Sequence, residues 1–242
     1  MEYKIIDNEI KIFKPKKIDK IIIACHGFAS SKESDAITVV GEMLKKHNIA
    51  LVAFDFPAHG SNQKEELMLY KCIEKLNKVE LFIKDKFPNI PVGLFGISYG
   101  AYVILNKLNY NNHKNYFTII LKSPAIKMNK IYKEKLIEED VCKYKERGYT
   151  TISYNNNIHI SYDFYDELNN SILTNKDFSF LKFLIMHGTK DEIAPIRDTI
   201  EFVKQNCSDK CFFKKIENAN HSMKGESIIN HYLQVIEEYL LI

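Results

Sequence analysis

Apolar residues along this chain alternate between two patterns, short continuous runs and longer stretches with an apolar position every three or four residues. Lys20 to Cys25 (KIIIAC), Ala50 to Phe54, Val92 to Phe95, Tyr116 to Leu121 and Phe183 to Met186 are continuous runs. They predict strands covered on both faces. Lys210 to Ile216 is read as the last strand. Between the runs lie amphipathic stretches. Ser34 is placed to cap a helix running to Lys46, with Ile37, Val40, Met43 and Leu44 facing inward. Leu67 to Phe87 predicts a long helix stopped by Pro88, and Ala101 to Leu108 a helix with one apolar side. Pro195 opens a helix to Gln205. Glu226 to Leu241 closes the chain, with Ile229, Tyr232, Leu233, Ile236 and Leu240 expected to be buried. Ahead of all these, Glu2 to Phe13 alternates around Asp7-Asn8, which predicts an antiparallel hairpin at a sheet edge.

Strand and helix in alternation predict an α/β fold, a mostly parallel central sheet with helices on both faces. The rhythm breaks from Ala125 to Asp177, a stretch rich in Lys, Glu, Asn and Tyr. It carries one expected helix, Lys130 to Arg147, and two strand-like pieces, Thr150 to Tyr154 and Ile158 to Tyr162, around Asn155, Asn156 and Asn157. The reading is an inserted cap at 125–177 on a core made of 1–124 and 178–242.

Composition narrows the function. With 45% hydrophobic residues over 242 positions, the chain can bury a large core. A formal charge of +3, with lysines scattered among glutamates, gives no basic stripe for nucleic acid. No apolar run is long enough to span a bilayer. The first residues, MEYKIIDNEI, lack the apolar segment of a secretory signal. Five cysteines in no CxxC arrangement predict reduced thiols, and the expected location is cytoplasmic.

The candidate chemistry begins at Ser98, in Gly-Ile-Ser-Tyr-Gly between an apolar strand and a helix. A serine at so sharp a turn is held in a strained conformation with its hydroxyl out of the sheet, and Gly96 and Gly100 let strand and helix cross closely. The N–H groups of the new helix favour an anion there. A serine hydroxyl needs a histidine to take its proton and an acid to orient that histidine. His221 lies in the loop between the last strand and last helix, with the small residues Ala219 and Ser222 beside it. Asp191 lies in the loop after the Phe183 to Met186 strand, and Glu192 next to it is the alternative acid. The offset from His187-Gly188-Thr189 favours Asp191. Two backbone N–H groups should receive the oxyanion, one from Tyr99 and one from Phe28 in His26-Gly27-Phe28. His26, His59 and His187 read as structural. No HExxH or close carboxylate–histidine set suggests a metal.

Five motifs in this order, His26-Gly27-Phe28, Asp55 to Ser61, Gly96 to Gly100, His187 to Pro195 and Asn218 to Ser222, resemble an α/β-hydrolase over nearly the whole chain. The resemblance is to the small serine hydrolases that include monoacylglycerol-lipase-like, cinnamoyl-esterase-like and serine-aminopeptidase-like members. It implies a triad of Ser98, Asp191 and His221, oxyanion donors at Phe28 and Tyr99, a cap at 125–177 and no cofactor. One departure stands out. Asp55 to Ser61 (DFPAHGS) lacks the arginine of the commoner D-x-R-G-x-G-x-S, which predicts a looser loop. The expected reaction is hydrolysis of short- or medium-acyl or aromatic carboxylic esters through an acyl-enzyme on Ser98. A peptidase or thioesterase would use the same triad, and a non-catalytic ligand-binding protein could share the fold. Cap aromatics Tyr149, Tyr162 and Phe164 are the expected substrate contacts. The expected partner is a small-molecule ester, without nucleic acid or membrane, and a homodimer is left open.

Overall fold

The computed structural model describes residues 9–110, 116–137, 140–153, 157–173, 177–179 and 181–241. The chain enters through β1 (Ile10–Phe13), β2 (Lys20–Cys25), α1 (Asp35–Lys45), β3 (Ile49–Phe54), α2 (Leu69–Lys86), β4 (Val92–Ile97), α3 (Tyr99–Tyr110) and β5 (Ile119–Lys122). It then leaves the main sheet for α4 (Met128–Ile131), a π-turn over Tyr132–Leu136, α5 (Val141–Arg147), β6 (Tyr149–Ser153), β7 (Asn157–Ser161) and α6 (Tyr162–Asn170). It returns through β8 (Phe183–Gly188), α7 (Ile196–Asn206), β9 (Cys211–Ile216) and α8 (Glu226–Leu241).

Seven strands form the main sheet in the order β1-β3-β2-β4-β5-β8-β9. β1 is antiparallel to β3, and every other neighbouring pair is parallel. The β-branched runs are covered on both sides, as their lack of alternation requires. Ile21, Ile23 and Cys25 of β2 join a core with α2 and α3. Ile22 and Ala24 join a second core with Ile37, Val40 and Leu44 of α1 and Tyr232, Val235 and Ile236 of α8. Ser34 caps α1, its hydroxyl accepting from Ile37 N at 3.4 Å.

Register decides where the chemistry sits. Cys25 stands opposite Gly96, Ile97 opposite Lys122, Lys122 opposite Met186 and Gly188 opposite Ile216. The loops that begin at His26, Ser98, Ser123, Thr189 and Glu217 therefore leave the same edge of the sheet. Strand order reverses between β2 and β4, and open α/β sheets bind ligands at such a reversal, beyond the carboxyl ends of the strands.

Three expectations change. The helix expected over Lys130–Arg147 is two helices, because the Asp140 carboxylate accepts from Cys142 N and Lys143 N and so starts a fresh helix at Val141. The strand expected to end at Tyr162 ends at Ser161, and a helix not foreseen, α6, follows with Phe164, Tyr165 and Leu168 buried. In α8, Val235 and Tyr239 are buried, while Ile229, Leu233 and Leu240 pack at the margin. Of the expected opening hairpin, the second arm is β1, and residues 1–8 lie outside the described residues. The Asn155–Asn156 turn lies outside them too, although β6 and β7 pair antiparallel as expected. Among the described residues no helix is long and apolar enough to cross a membrane.

Candidate active site

Ser98 follows β4 directly and has a φ of 51°, in the left-handed region that a side chain enters at a cost. The turn holds because its backbone is fully engaged. Ser98 N donates to Lys122 O at 3.0 Å, and Ser98 O accepts from Ala101 N, Tyr102 N and Ala125 N. The two flanking glycines are required by contact. A Cβ on Gly96 would fall 2.7 Å from Ala101 Cα, and one on Gly100 only 2.2 Å from the Cys25 carbonyl oxygen. The Gly100 contact shows α3 pressed against β2 as well as against its own strand.

Three loops then converge. His221 Nε2 lies 2.9 Å from Ser98 Oγ, and His221 Nδ1 lies 2.8 Å from Asp191 Oδ2. The carboxylate can only accept, so Nδ1 carries the proton and Nε2 is left to accept from the serine hydroxyl. Glu192, the alternative acid, is exposed. Asp191 is buried and well supplied with donors. Ile193 N and Ala194 N donate to Oδ1 at 3.0 and 2.8 Å. His187 Nε2 is 3.0 Å from Oδ2, with its own Nδ1 accepting from the Thr199 hydroxyl at 2.9 Å. Burial works against the ionised carboxylate, but hydrogen bonds from His187, His221 and Ala194 hold Asp191 well below the usual carboxylate range. His187 was read only as structural; its contact with the acid is hidden in the sequence because Asp191 follows it by one turn of an irregular loop.

The His26-Gly27-Phe28 loop lies against the serine, since a Cβ on Gly27 would stand 3.6 Å from Ser98 Cβ. Tyr99, the residue after the serine, opens α3, and its ring lies 5.9 Å from that of Phe28. His26 fixes the loop. Its Nδ1 donates to Gly27 O at 2.7 Å and its Nε2 accepts from Phe56 N at 3.0 Å, an arrangement that needs a neutral ring. Burial, with a smaller contribution from His59, pulls the His26 pKa down to about 3. Burial also lowers His59. An unfolded histidine titrates near about 6.5, so below that pH the unfolded chain binds protons that the folded chain refuses. Stability is therefore full above about pH 6.5 and falls as the pH drops toward about 3. Urea-unfolding midpoints should be lower at about pH 5 than at about pH 7. Equal midpoints would contradict the neutral burial of these rings.

The DFPAHGS turn is tied down where a loose loop was expected. The buried Asp55 carboxylate accepts from Lys32 Nζ at 2.5 Å, Lys32 N at 2.8 Å, and Ser61 N and Oγ at 2.9 Å each. Lys32, from the preceding β2 loop, supplies the cation that the turn itself lacks. The side chains are 14% and 1% exposed, so the pair is sheltered from water. Replacing Lys32 with methionine should destabilise the protein by about 3 kcal/mol, because it strands a buried carboxylate. Chemical denaturation of the variant measures this directly.

The segment between β5 and β8 meets the body in two ways. Glu167 of α6 accepts from Leu69 N at 2.6 Å and Tyr70 N at 2.8 Å, in the first turn of α2, where a carboxylate suits the helix dipole. Its aromatic rings also pack toward the serine. Phe164 is fully buried, 6.2 Å from Tyr99 and 5.5 Å from Tyr132, and Tyr132 in turn lies 6.2 Å from Phe28. Tyr132 was not singled out in the sequence. The other two expected substrate contacts are placed elsewhere. Tyr149 is 53% exposed with Arg147 over its ring, and Tyr162 packs on Tyr144 and Tyr165 within the segment. Among the described residues no group of three or more His, Cys, Asp or Glu side chains is arranged to hold a metal ion.

Similarity to known proteins agrees with this fold. A Mycoplasma genitalium protein named "Putative esterase/lipase 2" is 24% identical over 240 residues, covering 89% of this chain and 87% of its own. Among solved structures, mouse alpha/beta hydrolase domain-containing protein 10 superposes with a TM-score of 0.75 at 22% identity, covering 96% of this chain and 92% of its own. Est1E from Butyrivibrio proteoclasticus, solved with ferulic acid bound, gives 0.77 at 19% identity, with 96% and 93% covered. The monoacylglycerol lipase of Paleococcus ferrophilus gives 0.69 at 15%, with 96% and 97% covered. Residues 16–162 match the family described as "Serine aminopeptidase, S33", so this chain belongs to that family of α/β-hydrolases.

Proposed function

We propose that this hydrolase cleaves carboxylic esters with short, medium or aromatic acyl groups through an acyl-enzyme on Ser98. The observation that carries the reading is the continuous hydrogen-bonded line from Ser98 Oγ through His221 to Asp191, at 2.9 and 2.8 Å. Ser98 attacks the ester carbonyl as His221 Nε2 takes its proton. Asp191 keeps the Nδ1 tautomer and stabilises the imidazolium that forms. The backbone N–H groups of Phe28 and Tyr99 receive the developing oxyanion. His221 then protonates the departing alcohol, and water releases the acid by the reverse sequence. The rings of Phe28, Tyr132 and Phe164 favour an apolar or aromatic acyl group beside the serine, with segment 125–177 acting as the cap.

A second reading, an aminopeptidase, is favoured by the description of the matching family. It keeps the same three residues and changes only the leaving group. A panel of p-nitrophenyl esters, aminoacyl anilides and acyl-CoA thioesters separates the two. Faster turnover of the anilides than of every ester would replace the esterase reading.

A further inference from the structure

Lys122, the last residue of β5, and Ser123 after it lie between the serine turn and the histidine loop. Lys122 O accepts from Ser98 N at 3.0 Å. The side chain of the same residue turns to the histidine loop, with Nζ donating to Ser222 O at 3.0 Å. The next residue, Ser123, donates from Oγ to His221 O at 2.9 Å and from its backbone N to Met186 O at 2.8 Å. The carbonyls of His221 and Ser222 are thus each held by a side chain from one dipeptide, whose Lys122 carbonyl also holds the serine turn.

Neither residue is explained by packing alone. Lys122 is 1% exposed, and Ser123 is fully buried with a φ of 46°. An ammonium in such a place is unfavourable unless it is hydrogen-bonded, and here it has Ser222 O and the face of the Tyr232 ring, 5.5 Å away; a non-glycine residue in the left-handed region is strained. Burial pushes the Lys122 pKa down to about 8, and the nearby Asp191 charge pulls it back up. The His221 loop bends through positive φ at Asn218, Met223 and Gly225, and its hydrogen bonds to Thr189 and Lys190 hold Asn218 and Ala219 rather than His221 itself.

We propose that Lys122 and Ser123 are positioning residues that set the distance between Ser98 and His221. The proposal rests on the reading of these two as nucleophile and base. With the brace removed, the imidazole loses its fixed reach to the hydroxyl while the surface that binds the acyl group is unchanged. Acylation slows and substrate binding does not, since misplacing a reacting group by about 1 Å is enough to reduce a rate by about 100-fold.

The test uses the full chain and the variants Lys122→Met and Ser123→Ala. Wild-type protein is first exposed to a fluorophosphonate probe. If wild type does not react at Ser98, the nucleophile reading fails before the brace is examined. If it reacts, Lys122→Met should lower the labelling rate and kcat for a p-nitrophenyl ester by about 10- to 100-fold, and Ser123→Ala by about 10-fold, with KM within about twofold. The downfield proton resonance of His221 Nδ1 should shift or broaden in both, which a loss of global stability alone would not cause. Variants that fold, label at the wild-type rate and keep that resonance overturn the proposal. A change confined to KM also overturns it. Should Lys122→Met fail to fold, Ser123→Ala, which removes a single hydroxyl, decides on the same readings.

Discussion

Replacing Ser98 with alanine is expected to lower kcat for p-nitrophenyl esters by on the order of 10⁵-fold or more, and to abolish covalent labelling by a fluorophosphonate. The size follows from the way the site is built. Without Oγ, His221 Nε2 has nothing to deprotonate, although the Phe28 and Tyr99 amides and the aromatic wall remain. With the oxyanion received as proposed, a small residual rate over water is expected. The unfolding midpoint should change little, because the hydroxyl has His221 as its partner and lies at a half-buried position. Intact protein mass after labelling, read beside the rate, checks the expectation. An alanine variant that retained wild-type turnover would remove Ser98 from the chemistry.

The second large effect is structural. Gly100→Ala should destabilise the protein by more than about 4 kcal/mol or leave it insoluble. The new Cβ would have to sit 2.2 Å from Cys25 O, 2.6 Å from Cys25 C and 2.6 Å from His26 O, all backbone atoms that cannot swing aside. Relief would require α3 to lift from β2, moving the serine turn and the Phe28 loop together. Gly148→Ala is the control. Gly148 has a φ of 80° but nothing within 4 Å of its would-be Cβ, so only the backbone strain of about 1 kcal/mol applies. Urea unfolding of the two variants compares contact with strain. If Gly100→Ala lost no more stability than Gly148→Ala, the close crossing would not be what requires a glycine.

Much of this was legible in the sequence where one residue's environment is local. The strands announce themselves because β2, β3 and β4 are covered on both faces, which demands uninterrupted apolar residues. The serine turn is legible because steric contact allows little beyond glycine at 96 and 100. Asp191 and His221 follow from chain order and from loops after successive strands. What escaped depends on partners far apart in the chain. Lys32 reads as one lysine among many, and only folding brings it to Asp55, 23 positions on. Lys122 looks like the polar end of a strand until β8 and the His221 loop bury it. In the segment between β5 and β8, α6 offers only Phe164, Tyr165 and Leu168 as an apolar stripe, too short a period to stand out among polar neighbours. The break at Asp140 was not read, because a lone aspartate among Lys and Glu residues looks like one more charge on a helix surface until its carboxylate is seen to accept from Cys142 N and Lys143 N.

The hydrogen bond between Ser98 and His221 spans 123 positions of sequence, and its two ends ride on strands separated in the sheet by β5 and β8. Such a contact relies on the assembled sheet to hold both loops in place. Contacts that close long loops carry a larger entropic penalty than local ones, and a fold rich in them is slow to form. A refolding chain is therefore expected to recover its helical signal before any turnover, and a proteolytic fragment that keeps one loop alone should be inactive.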